Sequence, residues 1–281
     1  MRRTLDRIRH YLLMKPVPLR YLALRYLDKH FDLLSYEDKL RWGTIARPHY
    51  GHCLLHSAYL ARRLGIRTIS AIEFGVAGGN GLLSLEQHAK SVLAATGIES
   101  VIYGFDTGEG MPPPRDYRDC PYLWQAGYFK MDAEALRARL KVAQLVLGSV
   151  EETLRDFCSK HQPPPIGFIA FDLDYYSSTV AALRILEAEH RHLLPRVACY
   201  FDDMVGDIDW AYNPFTGEML AVQEFNDRHA DMKIAPVQGL RFWGGHLPSL
   251  WHEQIFVAHL FHHPEYGRPI SDLHQLPLTA E

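Results

Sequence analysis

Two short stretches carry most of the chemical potential of this 281-residue chain. In GFIAFDLDYYSST an apolar run ends in Asp172 and Asp174, and in RVACYFDDMVG another ends in Asp202 and Asp203. Carboxylates brought together repel one another and are costly to desolvate unless they share protons or a cation. Ligation by oxygen alone suits Mg²⁺ or a similar hard ion, so a divalent metal is the economical reading. The competing reading is structural, with Asp174 and Ser177 starting a helix while Asp202 or Asp203 caps a turn.

A second constellation suits a nucleotide. In ISAIEFGVAGGNGLLSLEQHA an apolar run leads through Glu73 into a turn containing Gly75, Gly78, Gly79 and Gly81, and then into a helical pattern. Such a turn lets a ligand approach bare backbone at the carboxyl end of a strand. No Gly-Lys-Ser/Thr follows, which excludes a Walker loop, and Gly79, Gly81 and Ser84 match the dinucleotide fingerprint at two glycines only. The next apolar run, VIYGFD, ends in Asp106, a carboxylate placed to accept both ribose hydroxyls of an adenosine. This pairing fits a nicotinamide or a sulfonium nucleotide equally. Further on, LVLGSVEETL puts Gly148 and Ser149 at a third strand end, where a small residue leaves room for a flat adenine; Ser149 with Glu152 also spells a helix capping box.

To bring these residues together the chain must build a sheet with one functional edge. Apolar runs at 68–74, 100–105, 144–147, 167–171 and 197–201 read as strands separated by helix-length segments, the rhythm of βαβ units and a mainly parallel sheet. Runs at 232–237 and 254–260, after a helix-like 217–229, suit an antiparallel pair closing the same sheet. Residues 1–64 read as helical segments, with Tyr21, Leu24, Leu27 and Phe31 at helical spacing, forming an appendage that acts as a lid or dimer element before a catalytic domain at 65–281. Eight bases against two acids in its first thirty residues raise the question of a membrane surface. Without a strong apolar face these bases give only screened attraction, so anionic liposomes at physiological salt should leave the protein in the supernatant.

Composition limits the alternatives. A hydrophobic content of 47% in 281 residues supports one large core and argues against disorder. The formal charge of −3 gives no global attraction to nucleic acid. Cys53, Cys120, Cys158 and Cys199 form no C-x-x-C pair, which fits reduced thiols in a cytoplasmic protein, and no run of about 18 apolar residues marks a transmembrane segment.

The ordered set EFGVAGGNG, GFDTGEGMPPP, LVLGSVEETL, FDLDYYSST and YFDDM resembles the class I S-adenosylmethionine-dependent methyltransferases of the macrocin and macrolide-sugar O-methyltransferase type, over about residues 68–206. The resemblance implies a Rossmann-like α/β fold, with a seven-stranded, mainly parallel sheet, an antiparallel C-terminal edge strand and flanking helices. It implies cofactor contacts near Glu73, Gly75, Gly79, Asp106 and Gly148, to which the rim position adds Ser149. The metal ligands, for Mg²⁺ or a similar ion, fall on Asp172, Asp202 and Asp203, and the base on Asp174. Metal-assisted methylation of a hydroxyl on a sugar or other small acceptor follows, in an enzyme expected to be a homo-oligomer. The N-terminal 60 residues and the His-rich tail after His246 depart from the antibiotic enzymes, and these are the parts that would cover the acceptor.

Two other classes compete. A nicotinamide oxidoreductase explains the glycine turn and Asp106 but leaves the aspartates without a purpose and lacks a Tyr-x-x-x-Lys pair. A non-catalytic scaffold would use the basic N-terminal helices to hold a membrane or a partner. Among the histidines, His259, His262 and His263 are expected in a strand end and surface turn and not in a metal patch, with His246 and His274 in the same His-rich region; His52 and His56 either face the site or line a helix interface. Trp243, Trp251 and Tyr266 are expected in core or interface packing.

Overall fold

The computed structural model describes residues 19–206, 210–243 and 249–271. The start of the basic N-terminal segment, His246 and His274 lie outside the described residues. Seven strands, β1 (Thr68–Phe74), β2 (Glu99–Asp106), β3 (Gln144–Leu147), β4 (Ile166–Phe171), β5 (Leu193–Phe201), β6 (Met232–Pro236) and β7 (Ile255–Leu260), form one sheet in the order β3-β2-β1-β4-β5-β7-β6. The first five are parallel, and β7 runs antiparallel to both β5 and β6. Within this antiparallel pair, the earlier strand β6 takes the edge. Pro236 at its end has no N–H to donate, which suits an edge strand.

Helices α1 (Leu19–Phe31), α2 (Tyr36–Trp42), α3 (Pro48–Leu64), α4 (Asn80–Thr96), α5 (Ala133–Arg139), α6 (Val150–His161), α7 (Tyr176–Leu183) and α8 (Gly217–Arg228) surround the sheet. Every residue of β4 is buried, as a parallel strand covered on both faces requires. Successive side chains alternate between two cores. Ile69 and Ala71 pack with Leu54 and Ala58 of α3 and Leu82 of α4, whereas Ile72 and Phe74 pack with Phe157 of α6, Leu183 of α7 and Phe225 of α8.

The described residues of the N-terminal segment, 19–64, divide between solvent and core. On α1 the rings of Tyr26 and Phe31 are exposed, but on α3 Tyr50, Leu54, Ala58 and Ala61 are fully buried. Burying Tyr50 and Leu54 alone contributes about 3 to 6 kcal/mol, against a typical domain stability of about 5 to 15 kcal/mol. Deletion of residues 1–64 is therefore expected to abolish cooperative unfolding, read by near-UV circular dichroism. A folded, cooperative 65–281 fragment would show that the core of Ile69, Ala71 and Leu82 closes without α3.

Register decides what meets at the functional edge. Phe74 is paired with Phe105 on one side and Phe171 on the other, and Phe171 is paired with Phe201. Their rings make a continuous row, with centroids 4.9, 5.7 and 4.6 Å apart. The residues that follow, Gly75, Asp106, Asp172 and Asp202, consequently stand abreast where the strands end. Polar groups are thus set on an apolar floor that removes water from one side of them.

The four cysteines are unpaired. Among the described residues, no helix is long and apolar enough to cross a membrane.

Candidate active site at the sheet edge

A cavity of about 640 Å³ opens above this row. Glu73, Gly75, Asp106, Ser149, Asp172, Asp174, Asp202 and Asp203 all line it; Gly79 and Gly148 do not. Its position follows from topology. The chain leaves β1 toward β2 and β3 on one side and enters β4 and β5 on the other, and ligands of open α/β sheets settle in the crevice at that switch point.

The glycine turn is shaped by close approach. Gly75 has φ 84°, and a Cβ there would lie 1.8 Å from the carbonyl oxygen of Asp172. Gly81 has no room either, since its Cβ would lie 1.6 Å from Oε1 of Glu73. Gly75→Ala is expected to destabilise the fold by on the order of 2 to 4 kcal/mol, the sum of backbone strain and overpacking. Denaturant titration measures this, and a loss under 0.5 kcal/mol, roughly surface-like, would mean that β1 and β4 separate without difficulty.

Asp106 does more than wait for a ligand. Its Oδ2 accepts the backbone N–H groups of Val76 and Ala77, both at 2.9 Å, and Oδ1 accepts that of Gly108 at 2.7 Å. The carboxylate thus staples the glycine turn to the end of β2, and Oδ1, which accepts one N–H, keeps lone-pair capacity for a further hydroxyl. Asp106→Ala should therefore lower the melting temperature together with adenosine-ligand affinity, the latter by about 1 to 3 kcal/mol. Calorimetry and thermal melts check the pair; full affinity in a folded variant would remove Asp106 from the site.

Ser149 caps α6, accepting the N–H of Glu152 at 3.3 Å, as the S-x-x-E spacing implies. Gly148 is outside the cavity lining, and its N–H donates to the Asp106 carbonyl at 3.0 Å. Gly79 starts α4, and a Cβ there would lie 2.1 Å from Leu136 of α5, so its small size serves packing.

At the other end of the cavity the carboxylates of Asp172, Asp202 and Asp203 each offer an oxygen, and these atoms lie within 4.8 Å of one another. At an effective dielectric of about 20, two charges so placed repel by on the order of 3 kcal/mol. Burial, reinforced by the neighbouring carboxylates, holds Asp172 and Asp203 well above the ordinary carboxylate range. A hard divalent cation relieves both burdens, so the donor set fits one. Asp174, two residues beyond Asp172, has φ 56°, and its N–H donates to Oδ2 of Asp203 at 3.1 Å. Burial, then the charges of Asp172 and Asp202, push its carboxyl up to about 7, a value suited to taking and releasing a proton near neutrality.

Several groups at the site escape the sequence patterns. Tyr200, next but one before Asp202, donates its hydroxyl to Oδ1 of that aspartate. Glu218, fully buried in the first turn of α8, accepts the Asp203 N–H at 2.9 Å and adds another carboxylate beneath the cluster. Asp119, equally buried, takes the N–H and hydroxyl of Ser177 at 2.8 and 2.9 Å and so ties the 107–131 segment to α7. Arg47 and Tyr212 also line the cavity. Strand alternation flags Tyr200, two positions from an aspartate; nothing local distinguishes Glu218 or Asp119 from ordinary helix and turn acids.

Among the described residues, the histidines and Trp243 and Trp251 stand apart from the cavity lining. His259 meets the Tyr266 hydroxyl at 2.9 Å, His263 the His190 carbonyl at 3.2 Å, and His262 the Asp231 carbonyl at 3.3 Å, in the turn expected for them. His52 packs against His56, Trp243 and Trp251, on a helix interface.

No family model matches the chain, and no curated protein does. Among solved structures, the calicheamicin methyltransferase CalS11 is 25% identical, with a TM-score of 0.45 over 73% of this chain and 82% of that one. Cofactor-bound Rv0187 from MTB is 14% identical, with a TM-score of 0.44 over 92% and 96%. MycE, from the mycinamycin biosynthetic pathway, in complex with Mg, SAH and mycinamycin VI, is 15% identical, with a TM-score of 0.38 over 76% and 50%. In its own strand order, with β7 inserted antiparallel beside β5 and β6 at the edge, the chain has the Rossmann-like fold of class I methyltransferases.

Proposed function

We propose that this chain is an S-adenosylmethionine-dependent methyltransferase that methylates a hydroxyl of a small acceptor, a sugar or other hydroxylated molecule, with a divalent cation such as Mg²⁺ held by Asp172, Asp202 and Asp203. One observation carries this reading: a single cavity is lined at one end by the glycine turn and Asp106 and at the other by the oxygen triad and Asp174. A nicotinamide oxidoreductase has no use for that second end.

The chain's own groups divide the work. Gly75, Asp106 and Ser149 hold the nucleoside, with Gly79 and Gly148 shaping the turn and strand end behind it. As the carboxylate, Asp174 takes the proton of the acceptor hydroxyl, and its raised proton affinity makes it a stronger base than a solvated carboxylate. The cation, when bound, supplies Lewis acidity that makes the hydroxyl easier to ionise, and the sulfonium supplies an activated methyl. Trp124, Phe129 and Tyr212 supply aromatic lining to the cavity in which the transfer takes place. Alignment of oxygen and methyl accounts for most of the acceleration, and no covalent enzyme intermediate is required.

The experiment is a methyl-transfer screen with labelled S-adenosylmethionine over acceptors fractionated by chemical class, with Mg²⁺ present or chelated, beside calorimetry against S-adenosylmethionine and NADH. Binding of NADH in preference to S-adenosylmethionine, without label transfer, refutes the reading.

A further inference from the structure

The N-terminal helices send one cation into the cavity, and the fold goes to some length to aim it. Arg47 precedes α3 with φ 45° and ψ 57°, a left-handed conformation unusual for a residue with a side chain and further disfavoured before a proline, here Pro48. The conformation is held from outside. Nε2 of His88 bonds the carbonyls of Ala46 and Arg47 at 3.0 and 3.1 Å, and because carbonyls only accept, that nitrogen carries the proton. Nδ1 is left to accept the Tyr36 hydroxyl at 2.9 Å. His88 is 1% exposed, so a buried relay from α2 and α4 fixes the backbone of Arg47. Strain maintained in this way collects where a side chain must be placed.

The guanidinium lies 5.2 Å from the centroid of the Tyr50 ring and lines the cavity. Its charge acts on Glu73 and Asp172, but among the described residues it forms no ion pair or hydrogen bond. Glu73 shows the complementary deficit. Its Oε1 takes the Tyr50 hydroxyl at 2.7 Å, whereas Oε2 is buried and has no hydrogen-bond partner among the described residues. An acceptor in want of a donor thus stands near a cation in want of an acceptor, both facing the cavity and both against Tyr50.

An α-amino acid group answers both deficits at once, with its ammonium toward Glu73 and its carboxylate toward Arg47. We infer that Arg47 binds the carboxylate at the amino-acid end of S-adenosylmethionine, opposite Glu73, so that the N-terminal helices complete the cofactor site. This rests on the methyltransferase reading. It makes α3 and the residues preceding it part of the binding machinery in addition to any lid role.

Calorimetry with three ligands tests the inference: S-adenosylhomocysteine, its decarboxylated analogue, and 5′-methylthioadenosine, which lacks the amino-acid end. Arg47→Gln should weaken S-adenosylhomocysteine on the order of 10- to 100-fold, the effect of losing a charge-assisted hydrogen bond, and leave methylthioadenosine within about twofold. Arg47→Lys, which keeps the charge but not the fork, should fall between. The wild-type protein should lose a similar factor on the decarboxylated ligand, an arm that decides even where the variants fail to fold. Equal losses on S-adenosylhomocysteine and methylthioadenosine, or wild-type indifference to decarboxylation, overturn the assignment. Wild-type protein that binds none of the three overturns the methyltransferase reading and this inference with it.

Discussion

Asp174→Asn is expected to reduce turnover by roughly 10²- to 10⁴-fold while the cofactor and the cation still bind. Asparagine keeps the size of the side chain and tolerates the left-handed backbone that Asp174 adopts. The Asp174 N–H can therefore still donate to Asp203, and the triad keeps its support. What disappears is one basic oxygen, in surroundings where burial and two neighbouring carboxylates raise its proton affinity. Single-turnover kinetics with labelled cofactor, beside calorimetric affinities for S-adenosylhomocysteine and Mn²⁺, separate the chemistry from binding. Turnover within tenfold of wild type would assign the proton to another acceptor; parallel loss of Mn²⁺ affinity would make Asp174 a ligand.

Loss of a triad member should fail differently. In Asp202→Ala, metal affinity and turnover are expected to fall together, each by more than about 100-fold. Affinity for S-adenosylhomocysteine should remain, because the nucleoside contacts proposed above come from the turn after β1 and from Asp106, which also line the cavity. This substitution also strands the Tyr200 hydroxyl, so Asp202→Asn, which leaves it an acceptor, is the companion variant. Exhaustive chelation should reproduce the kinetic defect in the wild-type enzyme. Added Mg²⁺ should raise the melting temperature of stripped wild-type protein by preferential binding to the folded state, and should do so only weakly in either variant. If activity survives both chelation and Asp202→Ala, the aspartates are capping groups or direct acceptor contacts in a metal-free transferase.

Much of this architecture is written locally. The parallel strands announce themselves because a buried parallel strand is a short apolar run, and each of these five ends at a glycine or an aspartate. Ser149 and Glu152 spell their own helix cap. The aspartate pairs are legible because two acids after an apolar run are expensive unless something compensates them. Helix α3 is less transparent, since its sequence places Tyr50, His52 and Cys53 together among basic and polar neighbours, and only packing against the sheet shows that it belongs to the core.

Register, close approach and long-range partnership lie beyond any local pattern. That Phe74, Phe105, Phe171 and Phe201 stand in one row, and hence that Asp106, Asp172 and Asp202 share one edge, depends on pairing between strands far apart in the chain. Gly75 is required by the Asp172 carbonyl and Gly79 by Leu136, neither of them a sequence neighbour. Arg47 acquires its place from His88, and Glu218 meets Asp203 only because α8 folds back beneath the cluster. The sequence by itself determines which segments become strands and which residues can do chemistry, because burial and backbone preference act over a few residues. Tertiary structure alone decides which of those residues face one another, because charge, desolvation and van der Waals exclusion depend on distance through space and not along the chain.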